Sequence, residues 1–391
     1  MQNRFQSYFN ISASLIKLYD AKTPFAIFLK NYFSQHKKHG STDRKKIATL
    51  CYSYFRLGNA LKSLSIEEKM KLGFFICNEE HHQYDFLFDN FFLSNWSNDF
   101  NKRIEFVETI YPNFLNEVFS FKEEIGGINS NDNFIKSHFV QPNLFLRIRP
   151  NKKNIVLKKL LEMEIPFQEI GEYSLSLINT TAINDIVELN KEAVVQDLSS
   201  QQTSSLIELV KQQIKEPIRL WDCCAASGGK TILAFDILKP QKITVSDNRA
   251  SILHNLKKRL ADAGIHRFES FVADLAKPLQ LKENFNFIIC DVPCSGSGTW
   301  SRTPEQISNF KQSSFNEFCK LQFSIANNVS NYLEKNGYLL YITCSIFKKE
   351  NELVVEKLLK ETSLKLVEQR YIEGFNIKAD TMFAALLQKV S

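Results

Sequence analysis

The second half of the chain alternates short apolar runs with amphipathic stretches, and this alternation restricts the possible folds more than any other feature. From about residue 190, runs such as "IRLWDCC" and "KITVSDN" are each followed by a loop and a helical pattern such as "RASILHNLKKRLADAG". The same order recurs in "FNFIICDVPC", "NGYLLYITCSI" and "KKENELVVEKLLKE". Strands that alternate with helices predict an α/β fold with a mostly parallel, doubly wound sheet. Such sheets bind their ligands beyond the carboxyl ends of the strands.

The length of 391 residues exceeds one ordinary domain, and we predict three parts. Residues 1–130 are predicted to be all-helical, residues 131–190 to form a small α+β unit, and residues 191–391 to form the α/β domain. Helical spacing of apolar residues marks the first part, at Ile47, Leu50, Tyr54 and Leu57. The small unit is predicted from the strand-like "PNLFLRIRP" and "YSLSLIN", separated by the helical "NIVLKKLLEMEI".

Composition excludes several classes of protein. With 44% hydrophobic residues the chain is not disordered, and neither a signal-like N-terminus nor a membrane-length apolar run is present. Eight cysteines without an even framework predict reduced thiols and a cytoplasmic location. We expect no metal, because no CxxC pair or His/Cys cluster has ligand spacing. The simplest interpretation of four histidines is that they lie at the surface: His36, His39, His81 and His82.

Charge permits a nucleic-acid partner without requiring one, since the formal net charge is only +6. The small unit carries a group of basic residues, which are Arg147, Arg149, Lys152, Lys153, Lys158 and Lys159. This group is either a solvated face or a patch that contacts RNA, and the sequence leaves both interpretations open.

Residues suited to ligand binding follow the first three strands of the α/β pattern. In "CCAASGGKT" a Gly-Gly turn opens a helix, and a helix N-terminus favours a carboxylate, as in the methionine part of S-adenosylmethionine. Asp247 ends the second strand, where an acidic residue commonly binds ribose hydroxyls, and Asp274 ends the third, where it could accept from an adenine amino group. Helix capping is the alternative role for each aspartate.

Two cysteines differ from the other six in their setting. Asp291, Pro293 and Cys294 close the fourth strand, and Cys344 closes the fifth; each of these thiols should face the crevice. The cysteines inside apolar runs are predicted to be buried and structural, namely Cys223, Cys290 and Cys319.

At this point the motifs resemble those of the RsmB/Nop/Sun group of RNA cytosine-5 methyltransferases. The segments that carry the resemblance are "CCAASGGKT", "VADL", "DVPCSGSGTW" and "YITCSIFKKENE", and it covers about residues 140–391. The segment "HKKHGSTDRKKIATLCYSYFR" is similar to the NusB-like RNA-binding domain of the RsmB branch, and the middle unit resembles its small RRM-like unit. The resemblance implies a Rossmann-like class I methyltransferase domain. Ser227 stands where the family usually has proline, which predicts weaker cofactor binding without loss of a side-chain role.

The resemblance also implies a set of site residues. The S-adenosylmethionine site would comprise Cys224, Ala225, Ala226, Ser227, Gly228, Gly229, Lys230, Asp247, Asp274 and Asp291. Cys344 would be the nucleophile that adds to carbon 6 of cytosine, so that carbon 5 can attack the methyl group. Asp291 could hold nitrogen 3, and Cys294 could assist release of the product. Lys230 is either a solvated lysine or the positive charge that favours a thiolate.

Chemistry alone leaves the order of the two thiols open, because DNA cytosine-5 methyltransferases attack with the Pro-Cys cysteine; the RNA family implies Cys344. Ribosomal RNA is the favoured substrate, and transfer RNA is the nearest competing one. The target cytosine should lie in a single strand or loop, since a stacked base cannot enter the crevice. Two different functions stay open for the chain: an RNA-binding assembly factor without catalysis, and a small-molecule methyltransferase. We expect no membrane partner.

Overall fold

The computed structural model describes residues 2–128 and 131–390, which divide into two units. The helical unit contains residues 2–123, 131–141 and 300–310, and the α/β unit contains the remaining described residues. The helices are α1 (Gln2–Leu18), α2 (Phe25–Gln35), α3 (Ser41–Arg56), α4 (Ile66–Cys77), α5 (Asn90–Ser94), α6 (Phe100–Ile110), α7 (Phe114–Val118), α8 (Asn131–Ser137), α9 (Lys153–Glu162), α10 (Leu198–Gln202), α11 (Ser204–Gln213), α12 (Gly229–Leu238), α13 (Ala250–Asp262), α14 (Glu305–Asn309), α15 (Ser313–Ser330) and α16 (Glu352–Glu361). The strands are β1 (Leu144–Ile148), β2 (Phe167–Gly171), β3 (Ser174–Leu177), β4 (Ala193–Val195), β5 (Arg219–Asp222), β6 (Lys242–Asp247), β7 (Glu269–Val272), β8 (Phe285–Asp291), β9 (Leu333–Thr343), β10 (Leu364–Glu373) and β11 (Thr381–Lys389).

In the helical unit, α1, α3 and α4 pack around a core of aromatic and aliphatic side chains. Ile47, Leu50 and Leu57 are fully buried, as their spacing predicts, whereas Tyr54 is half-buried. The start of α4 is a capping box, in which the hydroxyl of Ser65 accepts from the backbone N–H of Glu68 and the Glu68 carboxylate accepts from the backbone N–H of Ser65. These bonds satisfy amides that would otherwise lack partners at the helix end.

The histidines differ from the surface interpretation at two positions. His39 is buried, only 7% exposed, with its ring edge-on to Phe33, so its placement at the surface was wrong. His81 stacks on Trp96 and lies 2.6 Å from a carboxylate oxygen of Asp85. The fold also brings ligand atoms of His81, His82 and Asp85 within 4.8 Å of one another, a grouping that spacing rules did not indicate. The hydrogen bond of His81 accounts for its position without an ion.

The first sheet of the α/β unit has the strand order β2-β3-β1-β4 and is antiparallel throughout. Helix α9 covers it through Val156 and Leu160, which are fully buried with Leu146 and Leu175 of the sheet. The strands β1 and β3 and helix α9 occur where the sequence predicts them, and β2 and β4 are additional. Strand β4 lies beyond residue 190, in the segment that the sequence pattern assigned to the next domain, yet it pairs with β1 of this sheet. The domain boundaries stay a prediction.

Two of the basic residues in this unit are not available to RNA. Arg147 and Arg149 are 5% and 7% exposed, and both donate to the buried carboxylate of Asp236, at 2.6 Å and 2.7 Å. Both interpretations of the basic group were therefore wrong for these two arginines. A partly buried lysine, Lys159, pairs with Glu192 at 2.8 Å. The sequence pattern could not predict these ion pairs, because the partner carboxylates lie far away in sequence.

The second sheet has seven strands in the order β10-β11-β9-β8-β5-β6-β7. Strands β5 to β9 pair in parallel, and β10 and β11 form an antiparallel edge beside β9. This confirms the predicted α/β class with a mostly parallel sheet. Since β5 pairs with both β6 and β8, the chain reverses its winding there, which is where such sheets open a crevice for ligands.

Among the described residues, no helix combines the length and the apolar character that crossing a bilayer requires.

Candidate active site

A cavity of about 440 Å³ lies at the carboxyl ends of β5, β6, β7 and β8. This size suits a small molecule or cofactor. Six of the predicted site residues line it: Cys224, Ala226, Asp247, Asp274, Asp291 and Cys294. Three of these are carboxylates from three different strands, so parallel pairing alone brings them to one rim. Apolar side chains complete the cavity walls. The cavity therefore suits a ligand that has both polar and apolar parts.

The loop between β5 and α12 is held in one shape by backbone bonds. The N–H of Ala225 donates to the carbonyl of Ser246 at 2.9 Å, and the N–H of Ala226 donates to the Asp247 carboxylate at 3.1 Å. Gly228 has φ +82°, a left-handed conformation that glycine adopts without strain, and helix α12 begins at the next residue. Ala225 is buried in the core, whereas Gly229 is the first residue of the helix.

Ser227, at the family's usual proline position, is anchored by an arginine. Arg259 of α13 donates to the Ser227 hydroxyl at 2.8 Å and to its carbonyl at 3.2 Å. The same guanidinium donates to the Asn190 side chain at 2.7 Å and to the carbonyl of Val195 at 3.3 Å. The bonds from Arg259 thus act as a tether that restrains the loop at Ser227, where the family that the sequence resembles usually has a stiffening proline. The predicted weakening of cofactor binding stays a prediction, with this tether as an opposing effect.

Asp247 and Asp274 both line the cavity and both make local backbone bonds. Asp247 is 6% exposed and accepts from the N–H of Ala226 and from the backbone and side chain of Arg249, each at about 3.0 Å. Asp274 accepts from the N–H of Ala276 at 3.2 Å and pairs with Lys277. These local bonds fix the direction in which the two carboxylates point, and ligand binding by Asp247 and Asp274 stays a prediction.

An ion pair joins the first turn of α12 to the end of β8. The ammonium of Lys230 lies 2.7 Å from the Asp291 carboxylate, and the two side chains are 11% and 24% exposed. Burial disfavours the charged lysine, but the negative charges of Asp291 and Cys344 outweigh it and raise the pKa of Lys230. The electrostatic coupling to Cys344 supports the role of Lys230 as a nearby positive charge over that of a solvated lysine.

Behind this pair, Asp222 is a buried carboxyl group. Burial raises its pKa to about 7, although a hydrogen bond from the Thr231 hydroxyl opposes the shift. Asp291 adds to the rise, because two nearby carboxylates resist sharing negative charge. The sequence did not predict a buried acid here, because Asp222 simply ends an apolar strand.

The two thiols that follow β8 and β9 are brought together. The backbone N–H of Cys344 donates to the sulfur of Cys294 at 3.2 Å. Cys294 lines the cavity, while Cys344 is half-buried beside it. A hydrogen bond between the two thiol side chains, together with burial and the negative charge of Glu350, raises the pKa of the Cys294 thiol well above its usual value. This environment favours a neutral thiol at Cys294.

Several cavity residues were missed by sequence reasoning. Asn248 and Arg249 directly follow Asp247, a position that could have suggested them, whereas Leu321 and Ile325 come from α15 and carry no local signal. Of the cysteines predicted to be buried, Cys223 and Cys290 are fully buried and Cys319 is only partly so. Cys223 also lines the cavity.

Comparison with known proteins gives a family match for the second half of the chain. Residues 208–388 match the profile of the family described as 16S rRNA methyltransferase RsmB/F. A probable ribosomal RNA small subunit methyltransferase B of Bacillus subtilis is 24% identical over 265 residues, which cover 65% of this chain and 57% of that protein. A human 28S rRNA (cytosine(4447)-C(5))-methyltransferase is 29% identical over 172 residues, which cover 43% of this chain and 21% of that protein.

A solved structure matches nearly the whole chain. The crystal structure of PH0851 has a TM-score of 0.70 and 18% identity, and it covers 98% of each chain. At this identity the likeness establishes the fold. The two relatives compared by sequence are longer proteins, of which this chain spans 57% and 21%.

Proposed function

We propose that this chain, whose residues 208–388 belong to the RsmB/F methyltransferase family, is an RNA cytosine-5 methyltransferase that uses S-adenosylmethionine. The observation that carries the proposal is the pairing of two thiols at one end of a cofactor-sized cavity, with the amide of Cys344 bonded to the sulfur of Cys294. A methyltransferase acting at a nitrogen or oxygen atom needs no thiol nucleophile. Carbon 5 of cytosine does, because it becomes nucleophilic only after addition at carbon 6.

The cavity residues fit S-adenosylmethionine. Asp247 at the end of β6 would hold the ribose hydroxyls, and Asp274 would accept from the adenine amino group. Within residues 224–229 the N–H groups of Ala225, Ala226 and Gly228 are bonded inside the protein, so the N-terminus of α12, which begins at Gly229, would hold the carboxylate of the methionine part. When bound there, S-adenosylmethionine supplies an electrophilic methyl group. Asp380 and the loop before β11 belong to the same unit but are not needed for this assignment.

We assign the nucleophile to Cys344 and a proton-handling role to Cys294. The positive charge of Lys230 interacts with Cys344, and positive charge is the environment in which reactive cysteines are found. Cys294 keeps its proton, because its pKa is raised, and so it is the poorer nucleophile in the free enzyme. After methylation the C5–H bond breaks: its proton passes to a water held by the neutral Cys294 thiol, its electron pair re-forms the C5–C6 double bond, and the Cys344 sulfur is expelled with the electron pair of its bond to carbon 6.

Asp291 would bind the base edge. Its carboxylate faces the cavity and is held by Lys230, so one oxygen is fixed while the other can meet nitrogen 3 of cytosine. A proton shared there would take up the electron density that addition at carbon 6 pushes into the ring.

The substrate we propose is ribosomal RNA, with the target cytosine in a single-stranded or looped region. The names of the relatives support ribosomal RNA. Base flipping into a crevice requires an unstacked nucleotide. The eight cysteines are free thiols, which suits a reducing compartment such as the cytoplasm.

The test is bisulfite sequencing of total RNA from cells that lack this gene and are complemented with wild type, Cys344→Ala or Cys294→Ala. We expect one cytosine to lose its methyl group, to regain it with wild type, and to stay unmethylated with Cys344→Ala. Cys294→Ala should accumulate a covalent protein–RNA complex, visible as a denaturation-resistant band.

Two outcomes would contradict the proposal. If no cytosine changes in any RNA, the chain is not a cytosine-5 methyltransferase, and an RNA-binding role becomes the leading account. If Cys344→Ala still methylates while Cys294→Ala is inactive and traps nothing, the catalytic roles of the thiols are reversed.

A further inference from the structure

Beneath the two thiols lies a buried carboxylate that the catalytic chemistry does not use. Glu350 is completely buried and belongs to the loop between β9 and α16. Its carboxylate accepts from the backbone N–H of Ser295 at 2.8 Å, from the side-chain amide of Gln322 at 2.8 Å, and from the hydroxyl of Ser345 at 2.7 Å. All three donors are neutral groups, so these bonds, not an opposite charge, compensate for burial of the carboxylate.

The positions of the donors are informative, because two of them directly follow the thiols. Ser295 comes after Cys294 in the Pro-Cys loop, and Ser345 comes after Cys344 in the Thr-Cys loop. One oxygen of Glu350 holds the first loop and the other oxygen holds the second. The carboxylate therefore connects the two thiol-bearing loops at equivalent points.

Gln322 extends the connection to a third element. Its side-chain N–H₂ donates to Glu350 and also to the carbonyl of Pro293, at 3.0 Å, so it reaches the residue that precedes Cys294. Gln322 is fully buried on α15. The Pro-Cys loop is thus held on both sides of its thiol, by Gln322 before it and by Glu350 after it.

Direct bonds between the loops complete the arrangement. The N–H of Ile346 donates to the hydroxyl of Ser297 at 3.0 Å, and the N–H of Gly298 donates to the carbonyl of Cys344 at 2.9 Å. These bonds keep the loops adjacent, but they lie beyond the thiols, toward residues 297 and 346. At the residues next to the sulfurs there is also one direct bond, from the Ser295 hydroxyl to the Ser345 hydroxyl at 3.2 Å. Glu350 bonds to both of these residues and to Gln322 at once, so it ties the two loops to α15 as well as to each other.

We propose that Glu350 is a positioning residue that holds Cys294 and Cys344 at the separation the methyl-transfer cycle requires. The inference rests on the proposed function, since it gives both thiols a part in one cycle. Its chemistry is simple: a carboxylate has two oxygens with several acceptor sites, so it can receive N–H and O–H donors from two loops and a helix at once. Catalytic geometry is sensitive to such support, because a displacement of about 1 Å costs about 100-fold in rate.

The experiment compares Glu350→Ala, Glu350→Gln and, as a matched control on the helix that follows, Glu356→Ala, whose side chain is exposed. Each full-length variant is measured for S-adenosylmethionine affinity by calorimetry and for single-turnover methylation of the target RNA. We expect Glu350→Ala to lose about 100-fold in rate while the cofactor Kd stays within about twofold. The cofactor Kd should change little because Asp247 and Asp274, the residues assigned to the ribose and the adenine, follow β6 and β7, and the bonds of Glu350 do not reach these strands. Glu350→Gln, whose amide can accept from Ser295 and Gln322 and donate to the Ser345 hydroxyl, should recover to within about tenfold of wild type.

A second measurement does not depend on catalysis. Hydrogen exchange of the amides in residues 294–298 and 344–347 should be faster in Glu350→Ala than in wild type, with no change at the end of β6. If Glu350→Ala methylates at the wild-type rate, or if exchange is unchanged in both loops, the positioning role is refuted. If wild type itself methylates no RNA, the proposed function fails, and hydrogen exchange alone decides whether Glu350 joins the loops.

Should Glu350→Ala fail to fold, Ser345→Ala takes its place. It removes one of the three bonds to Glu350, and with it the bonds that the Ser295 hydroxyl and the N–H of Phe347 donate to the Ser345 hydroxyl. The carboxylate keeps its other two donors. We expect a smaller rate loss, of about tenfold, with faster exchange in residues 344–347. A wild-type rate and wild-type exchange in this variant would overturn the proposal.

Discussion

Gly298, whose N–H donates to the carbonyl of Cys344, offers a sharp test of how closely the thiol loops are packed. A Cβ atom added at Gly298 would lie 1.9 Å from the carbonyl oxygen of Thr381 and 3.1 Å from that of Cys344. Ordinary contact begins at 3.4 Å, so the loop must move by about 1.5 Å. Thr381 cannot yield, because it is the first residue of β11, fully buried and paired with Glu373 of β10.

The displacement should therefore fall on the loop that carries Cys294. We expect Gly298→Ala to lower single-turnover methylation by about 100-fold or more, since a shift above 1 Å exceeds what catalysis tolerates. The free energy of unfolding should fall by about 1–3 kcal/mol, the usual cost of overpacking. At roughly 2–4 °C per kcal/mol for a unit of this size, the melting temperature should fall by about 2–12 °C.

Tritiated-methyl incorporation under single-turnover conditions and differential scanning calorimetry measure the two effects. Gly171→Ala is the matched control, because the nearest atom to its added Cβ would be Ser174 Cβ at 3.9 Å, an ordinary contact. The reasoning is refuted if Gly298→Ala keeps a rate within about threefold of wild type while Gly171→Ala behaves alike, for then the loop absorbs the clash without moving the thiol.

Three further predictions concern the tether, the buried ion pair and the buried acid. Arg259→Ala should raise the Kd for S-adenosylmethionine about fivefold, because about 1 kcal/mol of hydrogen bonding to Ser227 is lost. Calorimetry measures this change, and Lys258→Ala, at an exposed lysine, is the control. Arg147→Met should lower stability by about 1–3 kcal/mol through loss of its bond to Asp236, yet leave RNA affinity and its salt dependence unchanged in filter binding; a lower salt slope would contradict the burial argument. Asp222, with a pKa of about 7, holds its proton longer when folded than when unfolded, so wild type should lose up to about 4 kcal/mol of stability as pH rises from about 4 to 7. Asp222→Asn should lack this slope in melting temperatures measured at pH 5 and pH 8, and an unchanged slope would mean that Asp222 is not its source.

Local patterns determined most of the element order in this protein. Hydrophobic periodicity depends on residues within one or two turns of each other, so the strands β5, β6, β8 and β9 could be predicted from the sequence. Parallel pairing then places strand ends side by side, which is why Asp247 and Cys294 could be assigned to one crevice in advance. The edge strand β10 could not, because its exposed faces give no clear alternation.

Tertiary structure alone decided which polar groups meet. Asp236 neutralises Arg147 across 89 residues of chain, and that partner turns an apparent surface patch into a buried ion pair. Glu350 reaches Ser295 across 55 residues, although nothing near it in sequence marks it as a support for a thiol. The physical reason is that the free energy of a buried charge depends on the donors folded around it, and those come from distant segments. The sequence by itself therefore determined the order of the elements and the thiols at their ends, and only the folded chain determined which side chains hold those thiols in place.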